Sequence, residues 1–162
     1  MIRIRPGLRS DDDAIWRILE PTLRAGETYP QPLDISREAA LAYWWKREHA
    51  VFVAEDETGS LTGTYHLKPN STGPAAHVAN CGYMTATDRW GHGIGRALCM
   101  HSLDEARRRG FRAMQFNLVI ATNARALHLW QSCGFAIAGR LPGAFEHPKL
   151  GFVDALILYQ AL

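Results

Sequence analysis

The chain has 162 residues, 47% of them apolar and 21% charged, the balance of an ordinary globular domain with enough chain to bury a core. Its 18 Lys and Arg against 16 Asp and Glu leave a formal charge of +2, which argues against nucleic acid or a membrane surface as a partner. The cysteines, Cys81, Cys99 and Cys133, are odd in number and form no CxxC pair, so a disulfide framework or a metal site is disfavoured and buried free thiols are expected.

Ile2 to Arg5 alternates apolar and charged residues and predicts a short strand stopped by Pro6. Ser10, with Asp11, Asp12 and Asp13 behind it, reads as a capped helix start favoured by the helix dipole. Ile15, Ile18 and Leu19 follow at helical spacing, and Gly26 ends the run. Residues 27–35 read as loop, and a second helix runs from Ser36 to about Arg47. Ala50 to Ala54 and Leu61 to Leu67 predict two strands around a turn with Gly59, and Ala75 to Met84 predicts a longer third. A helix from about Gly93 to Arg109 meets a terminal Gly110. Arg112 to Val119 is a strand, Asn123 to Ser132 a helix closed by Gly134, and Phe135 to Arg140 and Phe152 to Leu162 the last strands. The order β-α-α-β-β-β-α-β-α-β-β combines hairpins with strand–helix–strand crossovers, which gives a mixed α/β sheet with helices on its faces in a single domain, 1–162.

The stretch Trp90-Gly91-His92-Gly93-Ile94-Gly95-Arg96 lies where a strand passes into a helix. Glycines let the backbone approach a bulky ligand, and the free amides of a helix's first turn attract phosphate. Arg96 and Arg89 are near enough in sequence to add positive charge. A tight turn without ligand is the plain alternative. A dinucleotide fingerprint needs GxGxxG, and a Walker loop needs Gly-Lys-Ser or Gly-Lys-Thr; the chain has neither. Downstream, Asn123-Ala124-Arg125-Ala126-Leu127-His128-Leu129-Trp130-Gln131-Ser132-Cys133-Gly134-Phe135 reads as a capped helix running through glycine into a strand.

Together the two stretches resemble the GNAT superfamily of N-acetyltransferases, whose pattern is (Q/R)-x-x-G-x-(G/A) followed by N-x-x-A-x-x-x-(Y)-x-x-x-G-F. The order of elements is similar too, over nearly the whole chain. The resemblance implies a largely antiparallel seven-stranded sheet that splays between its fourth and fifth strands, acetyl-CoA as donor and no metal. It implies that backbone near Met84 and Thr85 pairs with the pantetheine arm, that the amides of Trp90, Gly91, His92, Gly93, Ile94 and Gly95 hold the pyrophosphate with Arg96 alongside, and that Asn123 and Ala126 meet the arm. Asn123 is also a plain helix cap. Thr85 becomes the oxyanion donor. Trp90 stands where the family has Gln or Arg, and Trp130 where many relatives have a Tyr acid; indole donates a hydrogen bond but is far too weak an acid to transfer a proton. The base is open: Glu27, His66, His77, His128 and Glu146 are candidates by residue type.

For the acceptor, Asn80 and Asn117 stand in apolar strand runs, where Asn is disfavoured, and serve either local backbone or a small polar substrate. Glu27 and Tyr29 lie in Gly26-Glu27-Thr28-Tyr29-Pro30, a loop suited to closing over a small amine. These features and Gln115-Phe116-Asn117-Leu118-Val119 are similar to the branch containing acetyltransferases of proline analogues such as azetidine-2-carboxylate. A small-molecule amine, an amino or imino acid, is the expected partner. A protein N-terminal or ribosomal acetyltransferase and a non-catalytic CoA-binding sensor are the rivals. The family suggests a homodimer. The run Arg107-Arg108-Arg109 falls in a helix's last turn, where the dipole favours cations, and needs no RNA to explain it. No run approaches the roughly 18 apolar residues of a membrane helix, and the N-terminus has no signal-like apolar region, so a cytoplasmic protein is expected.

Overall fold

Strands form where apolar and polar residues alternate, and helices where a polar residue caps free amides. The computed structural model describes residues 2–162. Its strands are β1 (Arg3–Pro6), β2 (Ala50–Glu55), β3 (Leu61–Pro69), β4 (Val78–Thr85), β5 (Ala113–Ile120), β6 (Ala136–His147) and β7 (Gly151–Ala161). Its α-helices are α1 (Asp12–Ala25), α2 (Arg37–Trp44), α3 (Ile94–Arg108) and α4 (Ala124–Ser132). Among the described residues the seven strands form one sheet in the order β1-β2-β3-β4-β5-β7-β6. All neighbours are antiparallel except β4 and β5.

The two sheet faces bury different helices. On one, Ile15, Ile18 and Leu19 of α1 and Leu41 and Trp44 of α2 pack on Val51, Val53 and Met84. On the other, Ile94, Leu98 and Leu103 of α3 pack on Phe52, Tyr65, Cys81, Met114 and Phe116, with Trp130 of α4 partly buried against them. All three thiols are free and buried. Burial pushes Cys81 up to about 12, so it stays a protonated core residue.

Several boundaries differ from expectation. Pro6 belongs to β1, because an edge strand needs no outward N–H from that residue. Ser10 does not cap α1; it lies in a 3-10 turn, Arg9–Asp11, where the Asp11 carboxylate takes the Leu8 N–H at 2.8 Å and pairs with Arg5. Ser36 does cap α2, its Oγ accepting from Ala39 N at 3.1 Å, but that helix ends at Trp44. A 3-10 turn at Gly73–Ala75 delays β4 to Val78. β6 runs on to His147, past Pro142 and Gly143, because it is an edge strand whose pairing with β7 absorbs them in an irregular stretch between Leu141 and Phe145. The arginine run is neutralised on its own helix: Arg107 pairs with Asp104, and Arg108 and Arg109 with the buried Glu105.

β4 and β5 pair only at Val78–Ala113 and Ala79–Met114. Beyond those residues they diverge, and the sheet opens over the rest of both strands. Among the described residues no helix is long and apolar enough to cross a membrane.

Candidate active site

The opening exposes a row of backbone groups. Residues in an antiparallel strand turn their N–H and C=O alternately to the two sides. Ala86 N bonds Thr62 O at 2.9 Å and Asn70 N bonds Val78 O at 2.8 Å, so the even-numbered residues of β4 face β3. The amides of Tyr83 and Thr85 therefore face the opening. Met84 does not offer its backbone there. It turns toward β3, and its side chain is buried on the α1–α2 face. Thr85 thus turns its amide to the opening, and the Met84 side chain lines the opposite face.

At the end of β4 the chain turns through Gly91 and Gly93, with φ of 85° and 78°, values that only glycine takes without strain. Gly93 is the N-cap of α3 and no side chain caps that helix, so its first amides are free for an anion. Gly95 sits under α4: a Cβ there would lie 3.0 Å from Leu129. His92 and Ile94 complete the turn, His92 exposed with its ring nitrogen on Arg89 O at 3.2 Å and Ile94 buried in the core.

The cations near the turn are disposed differently than their sequence positions suggest. Arg89 leans away toward Asp56 and Asp88, at 3.5 and 3.7 Å. Arg96 reaches the Ser132 hydroxyl at 3.0 Å and ties α3 to the end of α4. Arg125, which sequence reasoning passed over, holds its guanidinium 4.0 Å from the centre of the exposed Trp90 ring. A cation thus sits beside the glycine turn although Trp90 replaces the family's polar residue. The signal was present as an Arg two positions after Asn123, but only the fold brings it against Trp90.

Across the opening, Asn123 caps α4, its Oδ1 accepting from Ala126 N at 3.1 Å. The cap leaves the Nδ2 for a ligand. Trp130 packs between Tyr83 and Phe116, with ring centres 4.9 and 5.1 Å away, and forms the floor of the opening on the α3–α4 side.

The opposite face carries the other predicted residues. Asn80, Gly82 and Met84 alternate onto the α1–α2 side of β4. Asn80 is half-buried, and its Nδ2 donates to Gln115 O at 2.8 Å, bridging β4 to β5 where their ladder has ended. Asn117 is exposed rather than set in an apolar run; it accepts from Gln115 at 2.9 Å and donates to Asn70 at 2.7 Å. Tyr29 lies over Gly82, where a Cβ would collide with its hydroxyl. A cleft of about 550 Å³ separates the α1–α2 loop from the β6–β7 hairpin, with Tyr29, Gln31, Phe145 and His147 among its walls. Glu27 makes a 2.8 Å ion pair with Lys149, which lines the cleft, and so ties the α1–α2 loop to the hairpin. That hydrogen bond holds the Glu27 carboxyl below its usual range, which makes it a poor proton acceptor.

Of the remaining base candidates, His77 bonds Pro74 O on an exposed turn, and His128 and Glu146 are exposed. His66 is 1% exposed and neither ring nitrogen has a partner. Among the described residues no group of three or more His, Cys, Asp or Glu is arranged to hold a metal ion.

Residues 13–135 match the acetyltransferase (GNAT) family. The N-acetyltransferase aca1 of Schizosaccharomyces pombe is 32% identical, with 83% of this chain and 72% of that protein covered. The solved structure of a GCN5-related N-acetyltransferase from Kribbella flavida superposes with a TM-score of 0.94 at 38% identity, over 99% of this chain and 98% of that one. A phosphinothricin acetyltransferase from Sinorhizobium meliloti, solved in complex with AcCoA, shares the fold at 20% identity and a TM-score of 0.86, over 99% and 88% of the two chains.

Proposed function

Because the chain belongs to the acetyltransferase (GNAT) family, we propose that it moves the acetyl group of acetyl-CoA onto the amine of a small molecule, an amino or imino acid. Residues 1–162 act as a single catalytic domain in this reading. The observation that carries it is the cleft between the α1–α2 loop and the β6–β7 hairpin, walled by Tyr29 and by Lys149 with the Glu27–Lys149 pair barring it. A barred cleft suits a small acceptor better than a peptide lying along an open groove.

Acetyl-CoA supplies an activated thioester. The free amides at the start of α3 hold its pyrophosphate, with Arg125 adding charge over Trp90. Tyr83 and Thr85 offer strand-edge groups to the pantetheine arm, and Asn123 joins them from α4. The Thr85 amide is aimed where negative charge develops on the carbonyl oxygen as the amine adds. Trp130 shapes the opening beside the sulfur and moves no proton. On the acceptor side, the Asn80 and Asn117 amides orient a carboxylate, the group an amino or imino acid presents beside its amine. This assignment favours acceptors like the proline analogue azetidine-2-carboxylate.

A thiol-release assay with acetyl-CoA and a panel of amino acids, proline analogues, phosphinothricin, polyamines and N-terminal peptides tests the proposal. Fastest release with an amino or imino acid, lowered in Asn80→Ala and Asn117→Ala, is the expected result. Fastest release with a peptide replaces the small acceptor, and tight CoA binding without turnover of any amine overturns the enzymatic reading.

A further inference from the structure

The acceptor face holds a buried group that folding alone does not explain. His66 lies on β3 opposite Gly82 of β4, with both ring nitrogens buried and without a hydrogen-bond partner. Leaving a buried polar atom unsatisfied costs about 1–3 kcal/mol, so such groups are uncommon in native interiors. His66 stacks on His49 at 4.1 Å with 8° between the rings, and meets Trp44 and Tyr43 edge-on at 4.7 and 5.9 Å. These contacts fix the ring and satisfy none of its nitrogens. The Nε2 edge of the ring lies against one place on β4: a Cβ at Gly82 would fall 2.6 Å from it and onto the Tyr29 hydroxyl. Glycine at position 82 thus lets the tyrosine oxygen and the imidazole nitrogen converge on the strand that flanks the opening. Tyr29 also lines the acceptor cleft, whereas His66 lies behind it.

We infer that Tyr29 and His66 form the proton route for the attacking amine, Tyr29 Oη touching the acceptor and His66 Nε2 receiving the proton behind it. This rests on the acetyl-transfer reading above and supplies the base that the sequence does not identify. The balance is simple. The amine nitrogen bonds to the acetyl carbon, and its N–H bond breaks toward Tyr29 Oη. The phenolic proton passes to His66 Nε2. The C–S bond breaks with its electron pair on sulfur, and the imidazolium proton returns through Tyr29 Oη to the solvent of the cleft as products leave. Tyr29 touches substrate; His66 acts through it and is a positioning and proton-holding residue.

The surroundings keep His66 in the form the route needs. Burial, then His49 beside it and the Lys68 and Lys46 ammoniums farther off, hold its conjugate acid well below the usual histidine value. The tyrosines that face it, Tyr29 and Tyr43, are held protonated by burial. His49, with one nitrogen on Trp44 O at 3.0 Å, is itself kept neutral by burial. The imidazole is thus neutral throughout the physiological range, and the same burial that disfavours its conjugate acid makes it hold the amine's proton only in passing.

The test compares wild type, His66→Gln and Tyr29→Phe with saturating acetyl-CoA and whichever amine of the panel wild type acetylates fastest. Both variants should lose about 100-fold in kcat at neutral pH, with KM for acetyl-CoA unchanged. Their kcat should climb with pH between about 7 and 9 as solvent takes over the proton, while that of wild type stays level. If His66→Gln does not fold, Tyr29→Phe alone decides, since its ring packing is preserved. A kcat within about threefold of wild type and the same pH profile would overturn the inference. A peptide as fastest acceptor removes the small-acceptor reading but leaves this comparison intact; no transfer to any amine removes both.

Discussion

The two faces of the sheet are built on different plans. The α3–α4 face assembles its site from two continuous stretches, Trp90–Arg96 and Asn123–Trp130, each at the start of a helix. The α1–α2 face assembles its site from single residues on distant segments: Glu27 and Tyr29 on a loop, His66 on β3, Gly82 on β4 and Lys149 on the last hairpin. Helix starts are local constructions, because free amides, caps and glycine turns involve neighbours in the chain. A cleft between loops depends on register and packing across the whole sheet. The cofactor face can therefore be perturbed by small local changes, and the acceptor face by a single misplaced atom.

The largest expected effect follows from that contrast. Gly82→Ala puts a methyl where the Tyr29 hydroxyl and His66 Nε2 meet, and displacing a reacting group by about 1 Å costs on the order of 100-fold in rate. Acetyl transfer should fall by about that factor, while CoA affinity measured by calorimetry stays at the wild-type value. Loss of CoA affinity in the same variant would mean that the two faces are coupled through β4.

The same contrast explains what was legible in the sequence. The glycine turn, the Asn123 cap and the order of elements were legible because each is written in consecutive residues. The β4–β5 opening followed only from the resemblance; the structure supports it by a ladder that stops after Ala79. Asn117 looked buried because its neighbours are apolar, yet strand alternation turns it outward. The resemblance puts backbone near both Met84 and Thr85 against the pantetheine arm, and the same alternation turns the Met84 backbone to β3. Arg125 and the Tyr29–His66–Gly82 convergence were invisible, since each depends on residues far apart in the chain.

Arg125→Ala tests the cofactor face and should weaken CoA binding about tenfold, or ~1.4 kcal/mol, the scale of a hydrogen bond to a charged group. Trp90→Ala should weaken it as well, and the double variant by less than the product of the two, because the indole holds the guanidinium in place. Acceptor KM should not move in any of the three. Additive losses would show that Arg125 reaches the phosphate without its seat on Trp90.

Buried and half-buried histidines on both faces should also make the fold acid-sensitive. His66, His49 and His101 all have their conjugate acids lowered, first of all by burial. Below the ordinary histidine value of 6.5 the unfolded chain binds protons that the folded chain refuses. Unfolding free energy therefore rises with pH in that window and is fully present above it. Denaturant melts should show stability falling by about 1 kcal/mol or more between pH 7 and 5, a change of roughly fivefold in the folding equilibrium. His66→Gln should flatten the slope. An unchanged slope in that variant would assign the acid sensitivity to His49 and His101.

The smallest effect concerns the bar across the cleft. Glu27 and Lys149 are both accessible, and exposed ion pairs contribute about 1 kcal/mol or less. Glu27→Gln removes the charge without removing the side chain, so Lys149 and the hairpin tip lose their tie to the α1–α2 loop while Tyr29 keeps its packing. The acceptor KM should rise about threefold, kcat should hold, and the defect should shrink at high salt, where wild type loses the same tie. Longer acceptors sharpen the comparison. If the pair is what excludes them, Glu27→Gln should acetylate a dipeptide better relative to the free amino acid than wild type does. An unchanged ratio would move the size limit inward, from the rim to the Asn80–Gly82–Met84 row of β4, and make acceptor selection a property of the strand rather than of the loops.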